Sequence, residues 1–300
     1  MKAMKTKIRA SDALFKTVVF IVLALYTLLM VVLIVWGLFS ALKTVDEFRT
    51  NSLWLPYGWP WEWSWENFVS VFMNFEVPVY PNGIPATAYF ENMLLNTVLY
   101  VAVGAFLLAF VPCIMAYVTA KFPNFFSSII TGIVIVTMII PIVGSYPSEV
   151  QILKTLGLYD SYFGMWIQKA NFLGIYYLVF FAAFKALPKD MEEAASIDGA
   201  SEWTIMFRIT LPLVRNVFFT VMLIKFIELW NDYQTPLLYF PSLPTLSYGL
   251  FHLANSRVNS LSNVPMRMAS CIIVLMPILV LFLCFSNRII GNVTMGAIKE

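Results

Sequence analysis

Residues 18–42 form an almost unbroken apolar run, and this run narrows the possible folds more than any other stretch of the chain. A secretory leader carries an apolar segment of roughly 7–15 residues, so this one is too long for a leader and reads as an uncleaved first membrane span. The segment ahead of it, 1–16, is basic, with Lys2, Lys5, Lys7, Arg9 and Lys16 against Asp12 alone. Positive flanks stay on the cytoplasmic side, which places the start of the chain there. The composition agrees: 60% of residues are hydrophobic and 12% charged, with a mean hydropathy of +0.79. Soluble domains carry roughly 25% charged residues, so the expected fold is an all-α polytopic membrane protein, built as a single transmembrane domain over 1–300.

Further apolar runs at about 94–120, 127–146, 162–184, 214–239 and 268–285 bring the expected number of spans to six. Pro112, Pro141 and Pro277 interrupt the second, third and sixth. Membrane helices tolerate proline where neighbouring helices re-satisfy the freed backbone groups. Six spans put both termini in the cytoplasm, in agreement with the basic start and with Arg288 and Lys299 near the end. Segments 43–91, 147–160 and 241–265 then lie outside. The first leans acidic and holds Trp54, Trp59, Trp61, Trp63 and Trp65. These read first as an interfacial aromatic belt, and alternatively as a platform for an external partner or a sugar ring.

Several function classes find no support. The net charge is +2 without a basic block, so no nucleic-acid partner is expected. Cys113, Cys271 and Cys284 all lie in apolar runs, without metal-ligand or disulfide spacing. His252 is the single histidine and falls outside the membrane, where a surface or partner-contact role is the plainer reading; it supports neither a catalytic triad nor a metal site. No G-x-x-x-x-G-K-[ST] motif occurs, so no cofactor is expected in this chain and ATP is not bound here by a P-loop.

A charged insert, 187–213, separates two apolar runs and must lie at a membrane face. Its residues predict two short helices with a break. Pro188 precedes the first, Asp190 is placed to cap it, and Glu193 stands three residues on, as in a capping box. Asp198-Gly199 is a turn signal. A second helix is expected from about Ser201 to Thr210, ended by Pro212, with Trp203, Met206 and Phe207 on one face. An exposed apolar helix face calls for a partner.

Within this insert, Glu193-Ala194-Ala195, Asp198-Gly199-Ala200, Phe207, Ile209 and Leu211-Pro212 resemble the EAA loop of binding-protein-dependent ABC importer permeases. Many members of that family carry a second proline shortly afterwards, where this chain has Arg215. Weaker matches resemble the carbohydrate-importing, maltose-type branch: Trp65-Glu66-Asn67-Phe68, Asn96-Thr97, Trp230-Asn231-Asp232-Tyr233 with Pro236-Leu237, and Gly296-Ala297-Ile298-Lys299, followed here by Glu300 rather than glycine. The resemblance implies a type I ABC importer permease fold in a bacterial inner membrane. It implies a non-enzymatic subunit that pairs with a second related permease, two ATPase subunits carrying ATP and Mg, and an extracytoplasmic solute-binding protein. It also implies a sugar or oligosaccharide as solute. Glu192, Glu193, Ala194, Ala195, Asp198, Gly199, Ala200, Trp203, Met206, Phe207, Leu211 and Pro212 would then form the ATPase-coupling surface, and 246–263 would approach the binding protein.

Lys225 and Glu228 lie within the fifth apolar run at i and i+3, so they can meet on one face. An ionised side chain at the bilayer centre costs roughly 2.5–3.5 kcal/mol on insertion scales, which argues against a lipid-facing position. Two readings stay open: an internal ion pair that fixes packing, or a wall of a solute path continued by Asn231, Asp232, Tyr233 and Gln234. The amide and phenol groups among them suit hydroxyl-rich solutes. Other readings of the chain are a permease for a non-sugar solute, an ion-coupled secondary transporter using Lys225 and Glu228, and a membrane enzyme or scaffold.

Overall fold

The computed structural model describes residues 10–140, 144–255 and 260–296, and the side chains within them except at 10–13, 260, 282 and 284–296. The described residues are mainly helical, and their contacts cluster into two units: the chain through Met73 with part of the last helix through Ile273, and Asn74–Asn255 with the remainder of that helix.

In the first unit, α1 spans Ala10–Ala41, and its most apolar stretch is exposed around the whole circumference. Water alone does not cover such a surface, and the helix is long and apolar enough to cross a membrane. Past its end, α2 (Val45–Thr50) starts at Thr44, whose hydroxyl accepts from the Glu47 amide. Asp46 and Glu47 occupy its first turn and Arg49 its last, in the sense the helix dipole favours. α3 covers Glu66–Asn74. Asn67, from the Trp65–Phe68 motif, is buried and donates to the carbonyls of Ala41 (2.8 Å) and Lys43 (2.9 Å), closing the chain onto the end of α1.

The second unit opens with an antiparallel hairpin, β1 (Glu76–Val79) and β2 (Ala86–Tyr89), in which Val77 pairs with Ala88. α4 (Phe90–Lys121) is its central helix and packs against α8 (Ile175–Lys185) and α11 (Leu211–Asn231). Small residues on α4, Ala109, Cys113, Ala116 and Ala120, let the large side chains Tyr177, Phe180 and Phe184 of α8 come close. Tyr177 is buried, and its hydroxyl meets Thr119 at 2.6 Å and Thr131 of α5 (Phe125–Ile139) at 2.8 Å. Asn124 caps α5, its side chain accepting from Ser127 N at 2.9 Å.

Several expected boundaries are corrected. The third apolar run leaves the helix at Ile139, because Ile140 is extended (φ −83°, ψ 114°), as favoured for a residue before proline; Pro141 itself lies outside the described residues. The run 162–184 is two helices, α7 (Tyr162–Ile167) and α8. Between them Asn171 accepts from Leu173 N at 2.7 Å and Gly174 has φ +122°, a conformation glycine accepts readily. Much of the expected outer loop 147–160 is a helix, α6 (Tyr146–Thr155). The fifth run breaks at Asp232 (ψ 106°), and the chain resumes as α12 (Gln234–Tyr239). Segment 241–265 is no open loop, since it holds α13 (Leu246–Asn255), with Leu246, Tyr248 and Leu253 buried. The last helix, α14 (Val264–Gly296), runs past both expected ends and carries Pro277 inside it.

Among the described residues, Leu14–Ala41, Phe90–Lys121, Glu202–Asn231 and Val264–Leu281 are long and apolar enough to cross a membrane. α5 and α8 are apolar but shorter, at 15 and 11 residues. At 1.5 Å per residue they reach roughly 22 and 16 Å, against a hydrocarbon core of about 30 Å.

Candidate coupling surface and solute path

The charged insert folds as α9 (Asp190–Ile197), a turn, and α10 (Glu202–Thr204), which leads into a π-helical turn (Ile205–Thr210) and then α11. The expected capping box is absent. Lys189 holds the cap position without a side-chain bond, and Asp190, Glu192 and Glu193 fill the first turn, where acids complement the helix dipole. Gly199 turns the chain at φ +81° with open space around it. Ser201 starts the second helix by accepting from Thr204 N at 3.3 Å.

Pro212 does not end this helix. Leu211 N bonds Met206 O across a π turn, and Pro212 sits in the first turn of α11, where its missing N–H is harmless. The wider turn also splits the expected apolar face. Trp203 and Phe207 stack at 6.0 Å and point outward, whereas Met206 is 5% exposed and belongs to the core around Tyr117 and Phe184. Ile197, 86% exposed, joins the outward set with Trp203, 71% exposed.

The acids divide in the same way. Glu192 turns inward to Lys121, at 2.8 Å, and to the Thr210 hydroxyl, at 3.2 Å. Glu193, Ala194, Asp198 and Gly199 are exposed, Ala195, Ala200 and Leu211 half-buried. Lys121, which anchors the loop, carried no sequence signal beyond its place at the end of an apolar run.

A second polar region is a cavity of about 440 Å³ in the same unit. Lys225 and Glu228 meet there at 2.6 Å, and the Lys225 ammonium lies 4.6 Å from the Tyr176 ring centre. Asp232 also lines it, accepting from the Tyr100 hydroxyl (2.5 Å) and Thr235 N (3.0 Å), with Lys169 at 3.9 Å. Glu149 accepts from the Tyr239 hydroxyl at 2.6 Å. Hydrogen bonds from Ser145 and Tyr239 hold the Glu149 carboxyl below the usual glutamate range against the opposing effect of burial, and the Lys169 charge adds to this. Gln168 faces the cavity too, and its buried Oε1 has no partner among the described residues. Pro112 offers no N–H to the carbonyl of Leu108, which borders the same space.

Of the residues expected to line a path, the cavity therefore brings together Lys225, Glu228 and Asp232. Asn231 donates to its own helix at Ile227 O, Tyr233 stacks on Phe251 at 4.4 Å, and Gln234 is exposed away from it. Lys169, Glu149 and Tyr239 join the lining from stretches that sequence had read as the fourth span, an outer loop and the end of the fifth span. Lys169 did leave a trace, an ammonium inside an apolar run.

The shorter motifs prove to be braces. Asn96 donates to Pro244 O (3.0 Å) and accepts from the Tyr162 hydroxyl (2.6 Å), and Thr97 accepts from Leu246 N (2.9 Å). The Trp230 carbonyl accepts from the Ser247 hydroxyl, and its indole donates to Val274 O at 3.1 Å. They fasten the start of α13 into the core, so Leu246 to Gly249 cannot form the open contact expected of 246–263. His252 is half-buried rather than on the surface, its Nδ1 lacking a partner among the described residues.

Long apolar helices, a polar cavity between them and an exposed helix–turn at one end define a membrane transport subunit. The chain belongs to the family of binding-protein-dependent transport system inner membrane components, whose pattern matches residues 109–291. It is 25% identical to the diacetylchitobiose uptake system permease protein of Streptomyces coelicolor, over 97% of this chain and 91% of that one. It is 26% identical to the melibiose/raffinose/stachyose import permease protein of Bacillus subtilis, over 69% and 76%. Its fold is similar to that of a crystallised bacterial ABC transporter involved in the import of the acidic polysaccharide alginate, with a TM-score of 0.72, 20% identity, and coverage of 95% of this chain and 99% of that one.

Proposed function

We propose that the chain is one of two membrane subunits of an ATP-driven importer for a sugar or oligosaccharide. The family membership and the saccharides named for its relatives support the solute class. In this reading the chain crosses a bacterial inner membrane six times, with α5 and α8 as its two short crossings and both termini in the cytoplasm. A second related permease pairs with it, two ATPase subunits carry ATP and Mg, and an extracytoplasmic binding protein delivers the solute. Lys225, Glu228 and Asp232, joined by Lys169 and Glu149, line this subunit's share of the path.

One observation carries the coupling role: the EAA-type residues sit on an exposed helix and turn whose inner side is fixed to α4 by Glu192 and Lys121. A lever must be rigid on its own subunit and open to the motor, because packed helices shift between discrete arrangements. Glu193, Ala194, Ala195, Asp198, Gly199, Ala200, Trp203 and Phe207 would meet the ATPase; Glu192, Met206, Leu211 and Pro212 would hold the lever. Gly199→Asp places a charge on the turn, and the variant is expected to insert in the membrane but to lose the ATPase and ATP-coupled uptake. Normal assembly and uptake in that variant would remove the coupling assignment.

A further inference from the structure

In residues 51–62, which follow α1 and α2, much of the polar backbone is bonded within the fold while the large apolar side chains face outward. The Lys43 side chain is buried beneath them, and its ammonium donates to the carbonyls of Asn51 (2.7 Å) and Trp54 (2.5 Å). Asn51 donates to Leu55 O (2.8 Å) and accepts from Trp54 N (3.2 Å). Glu47 accepts from Tyr57 N (2.5 Å), and Glu62 from Trp59 N (2.8 Å). Facing outward are Leu53 and Trp54, 77% and 81% exposed, with Tyr57 and the stacked pair Trp59 and Trp61, whose centroids are 5.2 Å apart. A loop in water has no reason to spend its polar groups internally while presenting indoles to solvent. A loop at a lipid surface does, because it must satisfy its backbone from within.

The position of the loop fits. Lys16 marks one end of the α1 span, and a hydrocarbon core of about 30 Å takes about twenty residues, from Val18 to about Gly37. The Trp36 indole donates to Ser52 O at 2.8 Å. Leu53 and Trp54 follow directly, at the level where α1 leaves the hydrocarbon. We propose that residues 51–62 are an interfacial anchor, lying in the headgroup–acyl boundary of the leaflet opposite Lys16, with phospholipid as the occupant of the exposed aromatic face. The anchor rests on the α1 span alone and not on the coupling assignment.

The test is electron paramagnetic resonance on the assembled transporter in phosphatidylcholine–phosphatidylglycerol nanodiscs, with the three cysteines replaced and a nitroxide placed by Trp54→Cys, by Tyr57→Cys, or by Glu66→Cys as a control in α3. The ratio of collisions with oxygen to collisions with a water-soluble nickel chelate is expected to be several-fold higher at 54 and 57 than at 66. Equal ratios would place the loop in water and overturn the anchor. Protection from both reagents, or protection that develops only on adding oligosaccharide or binding protein, would assign the face to protein or solute instead and would also overturn it. Uptake measured on the same samples reports the transport function separately.

Discussion

Lys121 and Glu192 meet at 2.8 Å with only 9% and 21% of their side chains exposed, and Thr210 bonds the same carboxylate. One acid thus ties together the end of α4, the first turn of α9 and the π turn ahead of α11. Hydrogen bonds to charged groups contribute about 1.5–3 kcal/mol, and Glu192→Ala is expected to lower stability by that order. Glu193→Ala, which removes one negative charge from an exposed site, is expected to change the melting temperature far less while weakening retention of the ATPase. Thermal melts and co-purification of both variants check this; matching melts for the two would deny Glu192 its anchoring role.

The pair Lys225 and Glu228 separates its two readings through a double variant. Glu228→Gln alone leaves an ammonium without its partner in the cavity and is expected to destabilise the protein and reduce uptake. Lys225→Met with Glu228→Gln removes both charges and is expected to restore the melting temperature. If the pair lines the solute path, uptake stays low in the double variant. Full recovery of uptake would leave the pair a packing device.

Gly164 in α7 approaches the carbonyl of Leu158 so closely that an added Cβ would lie 2.0 Å from its oxygen. Backbone cannot swing aside as a side-chain tip can. Gly164→Ala is therefore expected to cost about 1–3 kcal/mol, read as a fall in melting temperature. At Gly104 the nearest atom is the tip of Leu229, and the same substitution is expected to cost less.

Glu149 gives a pH dependence with a definite sign. Its carboxyl titrates below the ordinary value of 4.5 because Ser145 and Tyr239 donate to it. A lowered carboxylate pKa stabilises the fold fully above the unfolded value, and the contribution is lost as pH falls through the folded value. The stability difference between the native protein and Glu149→Gln is expected to be constant near neutrality and to shrink below about pH 4. A difference that grew with acidification would contradict the assignment.

What sequence could reveal followed from local chemistry. The long apolar helices, the turn at Gly199 and the meeting of Lys225 with Glu228 are set by residues near one another in the chain. The breaks at Asp232 and within 162–184 were hidden because each also involves a distant partner. Asp232 leaves the helix where it accepts from Tyr100, and the apolar run 162–184 divides where Lys169 reaches Asp232 and the Tyr100 ring. Periodicity also assumed an ordinary α-helix through Met206, and the π turn there sends Met206 inward while Trp203 and Phe207 stay out. Leu246 to Gly249, polar enough in context to read as an outer loop, is held in the core by Thr97 and by the Trp230 carbonyl.

As one of two membrane subunits of an ATP-driven importer, this chain should be held in a complex with its partners. The most direct test is purification of the tagged protein in mild detergent from its own membrane, with mass spectrometry of whatever accompanies it. An ATPase and a second, related permease are expected to accompany it, and in Gly199→Asp the ATPase alone is expected to be lost. A lone or homo-oligomeric chain, from a membrane shown to contain those partners, would contradict the importer assignment.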